Sequence, residues 1–212
     1  MNLKFQNKGF TLAEVLITLL IIGVVASLVI PAIIQDSQDA ELKTALRSFY
    51  STISNATSLI MLDNGGTVKG LFTDLTVMRD LYADKMNISG TCESSVARGN
   101  CWVNSINMIN GEYWTGSTSA YPGLKLTNGI LVQFHIVQPN CNDQYWGLVS
   151  PVSCGLIRVD VNGFKNPNTF GKDIFDFHVL STSVTPRGGI YDNNHSCSGG
   201  GDFCAYSVLS NP

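Results

Sequence analysis

A single carboxylate, Glu14, heads a stretch from Val15 to Ile34 that contains no ionisable side chain. A charge beside so apolar a run is costly unless it is paired or solvated, and at membrane depth it points to a function. Two readings stand open: Glu14 lies at a membrane surface and is simply hydrated, or it is kept for a partner. Lys4 and Lys8 precede it, and basic residues before an apolar span keep that end of the chain on the cytoplasmic side. The run is long enough to cross a bilayer. It exceeds the apolar core of a secretory signal, and no small-residue cleavage site follows; Gln35-Asp36-Ser37-Gln38-Asp39 instead continues a helix.

The remaining reactive side chains are cysteines and a cluster of oxygen donors. Cys92, Cys101, Cys141, Cys154, Cys197 and Cys204 all lie beyond the apolar run and fall into sequence-local couples. None forms a CxxC pair, which argues against a zinc ribbon or a thioredoxin-like site. Short-loop closure favours the pairs Cys92–Cys101, Cys141–Cys154 and Cys197–Cys204, and disulfides require an oxidising compartment. The segment from Asp160 to Asp173 is rich in oxygen side chains, with Asp160, Asn162, Asn168 and Asp173 as candidate calcium ligands. It is not an EF-hand, because Gly163 is misplaced and no glutamate closes the loop. The alternative is a plain strand–turn–strand connection that uses Asn, Gly and Pro for turn geometry.

Signs of catalysis are missing. His135 and His178 fall in expected strands and His195 in a loop, without an HExxH, GxSxG or P-loop pattern nearby. The reading is of a protein that is not an enzyme and has no obligatory cofactor, calcium being the one candidate. A formal net charge of −3 gives no electrostatic reason to expect a nucleic-acid partner.

These residues need elements to place them. At 212 residues the chain has room for one globular domain and an extended element. Charged residues are 14% of it, against about 25% in an average soluble domain, and the apolar run explains part of the deficit. Leu42, Ala45, Leu46, Phe49, Ile53, Ala56 and Ile60 follow one face of a helix, with Lys43, Arg47, Ser51 and Asn55 opposite. Gly65 and Gly66 end it. From Phe10 to Leu62 such a helix would be roughly 80 Å long, and Pro31 removes a backbone donor and should bend or open it. A second helix is expected from Asp74 to Met86 with Thr73 as its cap; Leu75, Met78, Leu81, Tyr82 and Met86 make its core stripe. Trp102, Tyr113 and Trp114 read as anchors for a turn-rich stretch, or as a binding surface. Expected strands are Leu124–Thr127 and Ile130–Val137 around a two-residue Asn128-Gly129 turn, then Gly155–Val161, Asp173–Leu180 and Cys204–Leu209. One long helix followed by antiparallel strands is an α+β architecture.

The run Lys8-Gly9-Phe10-Thr11-Leu12-Ala13-Glu14-Val15-Leu16-Ile17 closely resembles the processing site of type IV pilins and type II secretion pseudopilins. The resemblance extends without a gap through Pro31; beyond it the support is architectural. It implies a pilin-like fold. It also implies cleavage between Gly9 and Phe10 by prepilin peptidase, N-methylation of Phe10, and Glu14 as the assembly glutamate, with Pro31 where many members kink the helix. The implied organisation is a leader over 1–9, a transmembrane and filament-core helix over 10–34, its amphipathic continuation over 35–62, and a periplasmic or extracellular domain over 63–212. The implied partners are other pilin or pseudopilin subunits, the peptidase, the inner-membrane assembly machinery and membrane lipid. A minor type IV pilus subunit is the leading expectation, with a secretion pseudopilin or an adhesive, DNA-binding surface module as alternatives. The loop Cys197–Cys204 resembles the disulfide-closed C-terminal region of many pilins. Some pseudopilins hold calcium in a C-terminal loop, without a residue-level match to Asp160–Asp173.

Overall fold

A computed structural model describes residues 9–116, 121–142, 153–189, 192, 197, 200–202 and 204–211. The chain divides into two units, Met1–Glu41 and Leu42–Pro212. Helix α1 spans Leu12–Asp63 and includes Pro31. Within the first unit, every large apolar side chain from Phe10 to Ile34 is exposed. The 18-residue window of highest hydropathy has none of its residues buried, and the helix is long and apolar enough to cross a membrane.

In the second unit α1 continues as an amphipathic helix. Leu46, Phe49, Ile53, Ala56 and Ile60 are buried, while Arg47, Ser51 and Asn55 are exposed. The helix ends where Gly65 and Gly66 adopt positive φ, and Gly66 N–H donates to the Met61 carbonyl at 2.7 Å. Helix α2 covers Leu75–Lys85. Its cap is Asp74 rather than Thr73: the Asp74 carboxylate accepts from Val77 N–H at 2.9 Å. Met78, Tyr82 and Met86 of the expected stripe are buried, and Leu75 and Leu81 are partly buried.

Among the described residues one antiparallel sheet holds the strands in sequence order: β1 Ile88–Cys92, β2 Gly123–Leu126, β3 Leu131–Val137, β4 Gly155–Asp160, β5 Ile174–Val179 and β6 Val184–Pro186. The β2–β3 turn has three residues, not two. Leu126 N–H donates to the Ile130 carbonyl and Gly129 N–H to the Leu126 carbonyl, with Gly129 at φ +89°. That is the turn-plus-bulge form of a three-residue hairpin, which needs glycine in the last position. Cys204–Leu209 is not a strand. Ala205–Ser210 forms helix α3, and Val208 N–H bonds back to the Cys204 carbonyl. Strands β1 and β6 were not expected. Burial alternates along both, but β1 is a run of small and polar residues with Gly90 at a register shift and β6 is three residues long with Pro186 at its end, so neither offers an apolar run that marks a strand in the sequence.

The sheet is covered on both sides. One face gives Val132, Phe134, Ile157, Val159, Phe175, Phe177 and Val179 to the core formed with α1 and α2. The other gives Leu131 and Ile174 to a smaller cluster with Trp102, Val103, Ile106 and Phe170. Side chains on a strand alternate between faces, so Arg158, Asp176 and His178 also point to this second side, and all are buried.

Candidate functional site

The N-terminal site begins outside the helix. Gly9, Phe10 and Thr11 are non-helical and exposed, Phe10 being 87% accessible. Lys4 and Lys8 lie outside the described residues. Thr11 and Glu14 form a capping box: the Glu14 carboxylate accepts from Thr11 N–H and from its hydroxyl, both at 2.8 Å, and Glu14 N–H donates to Thr11 Oγ1 at 3.3 Å. Helix α1 therefore starts just after the Gly9–Phe10 bond and leaves that bond in an open segment. Thr11 was not singled out in the sequence, although Ser/Thr-x-x-Glu is a legible signal. Pro31 lies within α1.

Residues 4–30 match the prokaryotic N-terminal methylation motif. The chain is 36% identical over 59 residues to the type II secretion system core protein G of Escherichia coli (strain K12), covering 28% of this chain and 40% of that one. It is 34% identical over 61 residues to the protein of the same name from Aeromonas hydrophila, covering 29% and 42%. The chain thus spans about two fifths of the length of these curated relatives. No solved structure matches. These matches place the N-terminal segment in the type IV pilin and pseudopilin family. The long apolar helix, the antiparallel sheet and the disulfides make the fold α+β and pilin-like. The apolar helix and the motif together mark a membrane-anchoring segment of the pilin kind.

In the second unit the cysteines are joined as Cys92–Cys101, Cys141–Cys154 and Cys197–Cys204. The first closes a loop that leads into buried Trp102. The last lies against the connection between β4 and β5, where a Cβ on Gly171 would come within 2.6 Å of Cys204 Sγ. Trp102 is fully buried, and Trp114 meets Phe170 edge-on at 5.7 Å, so these aromatics anchor the covering segment; Tyr113 is exposed. His135 lies in β3 and His178 in β5, where His178 Nε2 is 3.1 Å from Asp192 Oδ1. His195 lies outside the described residues.

The oxygen-rich segment connects β4 to β5. Asp160 and Asp173 are fully buried, and no cationic side chain pairs with either among the described residues. Burial, reinforced by the neighbouring Asp173, pushes the Asp160 carboxyl up to about 9. Asp173 accepts Asn168 N–H at 2.8 Å and Thr169 N–H at 2.6 Å. Asp160 Oδ1 accepts Asn162 N–H at 3.3 Å. Three buried oxygens here have no hydrogen-bond partner: Asp160 Oδ2, Asn162 Oδ1 and Asn168 Oδ1. No group of three or more His, Cys, Asp or Glu side chains converges among the described residues, so any metal here would rest on a mixed carboxylate–amide set.

Proposed function

We propose that this chain is a non-enzymatic subunit of a pilin-like filament, anchored in the inner membrane by α1 with its N-terminus cytoplasmic and its sheet domain in the periplasm. Prepilin peptidase cuts between Gly9 and Phe10 and methylates the new Phe10 amine. The observation that carries this reading is the matched motif over residues 4–30, joined to a helix whose apolar side chains are exposed from Phe10 to Ile34. In a filament those side chains pack against other subunits; before assembly they face membrane lipid. The inner-membrane assembly machinery moves the subunit from one setting to the other. Glu14 then exchanges Thr11 for the Phe10 amine of a neighbouring subunit. A buried carboxylate tolerates only a paired position, and this fixes the axial register.

The names of the relatives favour a type II secretion pseudopilus over a type IV pilus. The match is confined to roughly the helix that every such filament needs, so a minor pilus subunit remains the competing assignment of machine. N-terminal peptide mass spectrometry of protein from its native membrane tests the shared part. A chain starting at N-methyl-Phe10 is the expected result. An uncut Met1, or a cut near Ile34, would sink the filament reading.

A further inference from the structure

Asn64, Asn110, Asn128 and Asn162 each stand directly before a glycine. Glycine has no Cβ to shield its backbone nitrogen, so in such a pair that nitrogen can attack the amide carbon of the preceding side chain. A hydrogen-bonded N–H must first be released by local opening. Three of the four glycines are held in this way. Gly111 N–H donates to the Met108 carbonyl at 2.9 Å, Gly129 N–H to the Leu126 carbonyl at 3.0 Å, and Gly163 N–H to the Asp160 carboxylate. Their asparagines are engaged in the same turns. Asn110 Oδ1 accepts Glu112 N–H at 3.0 Å, Asn128 Oδ1 accepts Ile130 N–H at 3.3 Å, and Asn162 Nδ2 donates to the Asn166 carbonyl at 3.1 Å.

Asn64 differs. It is exposed, directly follows the last residue of α1, and precedes Gly65, which stands at φ +77° with open space around it. Helices that end on such a glycine commonly send the next two N–H groups back to their last carbonyls. Here Gly66 N–H reaches the Met61 carbonyl at 2.7 Å, whereas Gly65 N–H donates to nothing among the described residues. We propose that Asn64 is a site of spontaneous deamidation, the attacking group being the free Gly65 nitrogen. That nitrogen gives its proton to hydroxide and bonds to Asn64 Cγ; the Cγ–Nδ2 bond breaks, and Nδ2 takes a proton and leaves as ammonia. Water then opens the cyclic imide. Attack at Cγ gives aspartate, and attack at the main-chain carbonyl gives isoaspartate. One water is consumed, one ammonia is released, and nothing is oxidised or reduced. The product loses the bond from Asn64 Nδ2 to the Ile60 carbonyl, now 2.8 Å. It places a new carboxylate at the C-terminal end of α1, where the helix dipole disfavours it, beside Asp63. Isoaspartate also lengthens the backbone by one carbon within the turn that Gly66 and Met61 close.

The test uses the full chain, unassembled in detergent, so it stands apart from the filament reading. The chain is aged in mildly alkaline buffer, and peptide mass mapping follows aspartate and isoaspartate at all four Asn-Gly pairs. A parallel sample is reduced and unfolded in denaturant. In the folded chain Asn64 should react at least roughly tenfold faster than the other three, which corresponds to about 1.4 kcal/mol, the size of one hydrogen bond. In the unfolded chain the four rates should converge, since glycine follows each. Asn64→Gln should stop the reaction at this position and leave the other three rates unchanged. Asn64→Asp, which is the aspartate product, should melt about 2–4 °C below wild type. A folded chain in which Asn64 stays intact, or is matched by any of the other three, overturns the site. An Asn64→Asp chain that melts with wild type overturns the consequence for α1.

Discussion

Arg158 grips Asp176 through two parallel hydrogen bonds, Nε to Oδ1 at 2.7 Å and Nη2 to Oδ2 at 2.8 Å, across the β4–β5 pair and out of reach of water. Arg187 Nη1 adds a third bond to Asp176 Oδ2 at 3.0 Å. Phe170 and Trp114 lie against the Arg158 guanidinium. Burial alone would raise the Asp176 carboxyl, but the charges and hydrogen bonds of Arg158, with the charge of Arg187, outweigh it and hold it at about 2. Removing one member of such a network strands the others. Asp176→Asn should cost about 3–5 kcal/mol, read as a fall in the denaturation midpoint. A folded-state value below the unfolded one gives stability that is complete above about 4 and is lost as pH falls towards about 2. Acid unfolding followed between those values should be steeper in the wild type than in Asp176→Asn.

The hydrogen bond between α1 and α2 gives an asymmetric prediction. Thr57 Oγ1 lies 2.8 Å from the Ile53 carbonyl and 2.7 Å from the Tyr82 hydroxyl, with both side chains buried. Thr57 spends its one proton on Ile53, so Tyr82 donates to Thr57. Tyr82→Phe removes a donor and leaves the threonine bonded to its own helix; a loss of about 0.5–1.5 kcal/mol is expected. Thr57→Val leaves the tyrosine hydroxyl buried without an acceptor, and about 1–3 kcal/mol is expected. Chemical denaturation of both variants checks the order. A Tyr82→Phe chain less stable than Thr57→Val would show that the proton assignment is reversed.

Gly163 ties the β4–β5 connection to the tip of the β2–β3 hairpin. It has φ +73°, and a Cβ there would run into the Gly129 carbonyl oxygen. Gly65 has a similar φ of +77° but open space around it. Gly65→Ala pays only for backbone conformation, about 1 kcal/mol. Gly163→Ala pays that and must also move a neighbouring backbone, so a loss of more than about 3 kcal/mol is expected. Paired melting curves decide it, since equal losses would mean that the hairpin tip yields freely.

How legible the molecule was in its sequence depended on the range of the interaction that fixed each part. The buried stripe of α1 from Leu46 to Ile60 and the apolar alternation of β3 to β5 are local patterns, and the sequence carries them. Six residues after Cys204 are too few to separate the strand period from the helical one, and Tyr206 and Val208 imitated alternation in what is α3. The second sheet face was not legible at all. Asp176 and His178 alternate with Phe175 and Phe177 in a way that ordinarily marks a solvent-facing side. They are buried because Arg158, Arg187 and Asp192 arrive from elsewhere in the chain to pair them. At the N-terminus Glu14 stood out by its surroundings, but its partner Thr11 passed unnoticed until the capping box closed.

That capping box bears on assembly. In the single chain the Glu14 carboxylate is satisfied by Thr11 N–H and hydroxyl at 2.8 Å. On the filament reading, assembly must replace these bonds with a neighbour's amine. Glu14→Gln keeps the shape and an acceptor oxygen but removes the charge that the amine would meet. The Gly9–Phe10 bond lies outside the helix and does not depend on that charge. Glu14→Gln should therefore still be cut at Phe10, as seen by mass spectrometry of the membrane fraction. Filament incorporation, measured by shearing and by cross-linking between subunits, should fall at least tenfold. Thr11→Val removes the hydroxyl but leaves the charge, so incorporation should stay within about twofold of wild type; the capping hydrogen bond contributes only about 1 kcal/mol. If Thr11→Val abolished incorporation while Glu14→Gln assembled normally, the glutamate would be a helix cap and nothing more, and register would have to be set by another contact.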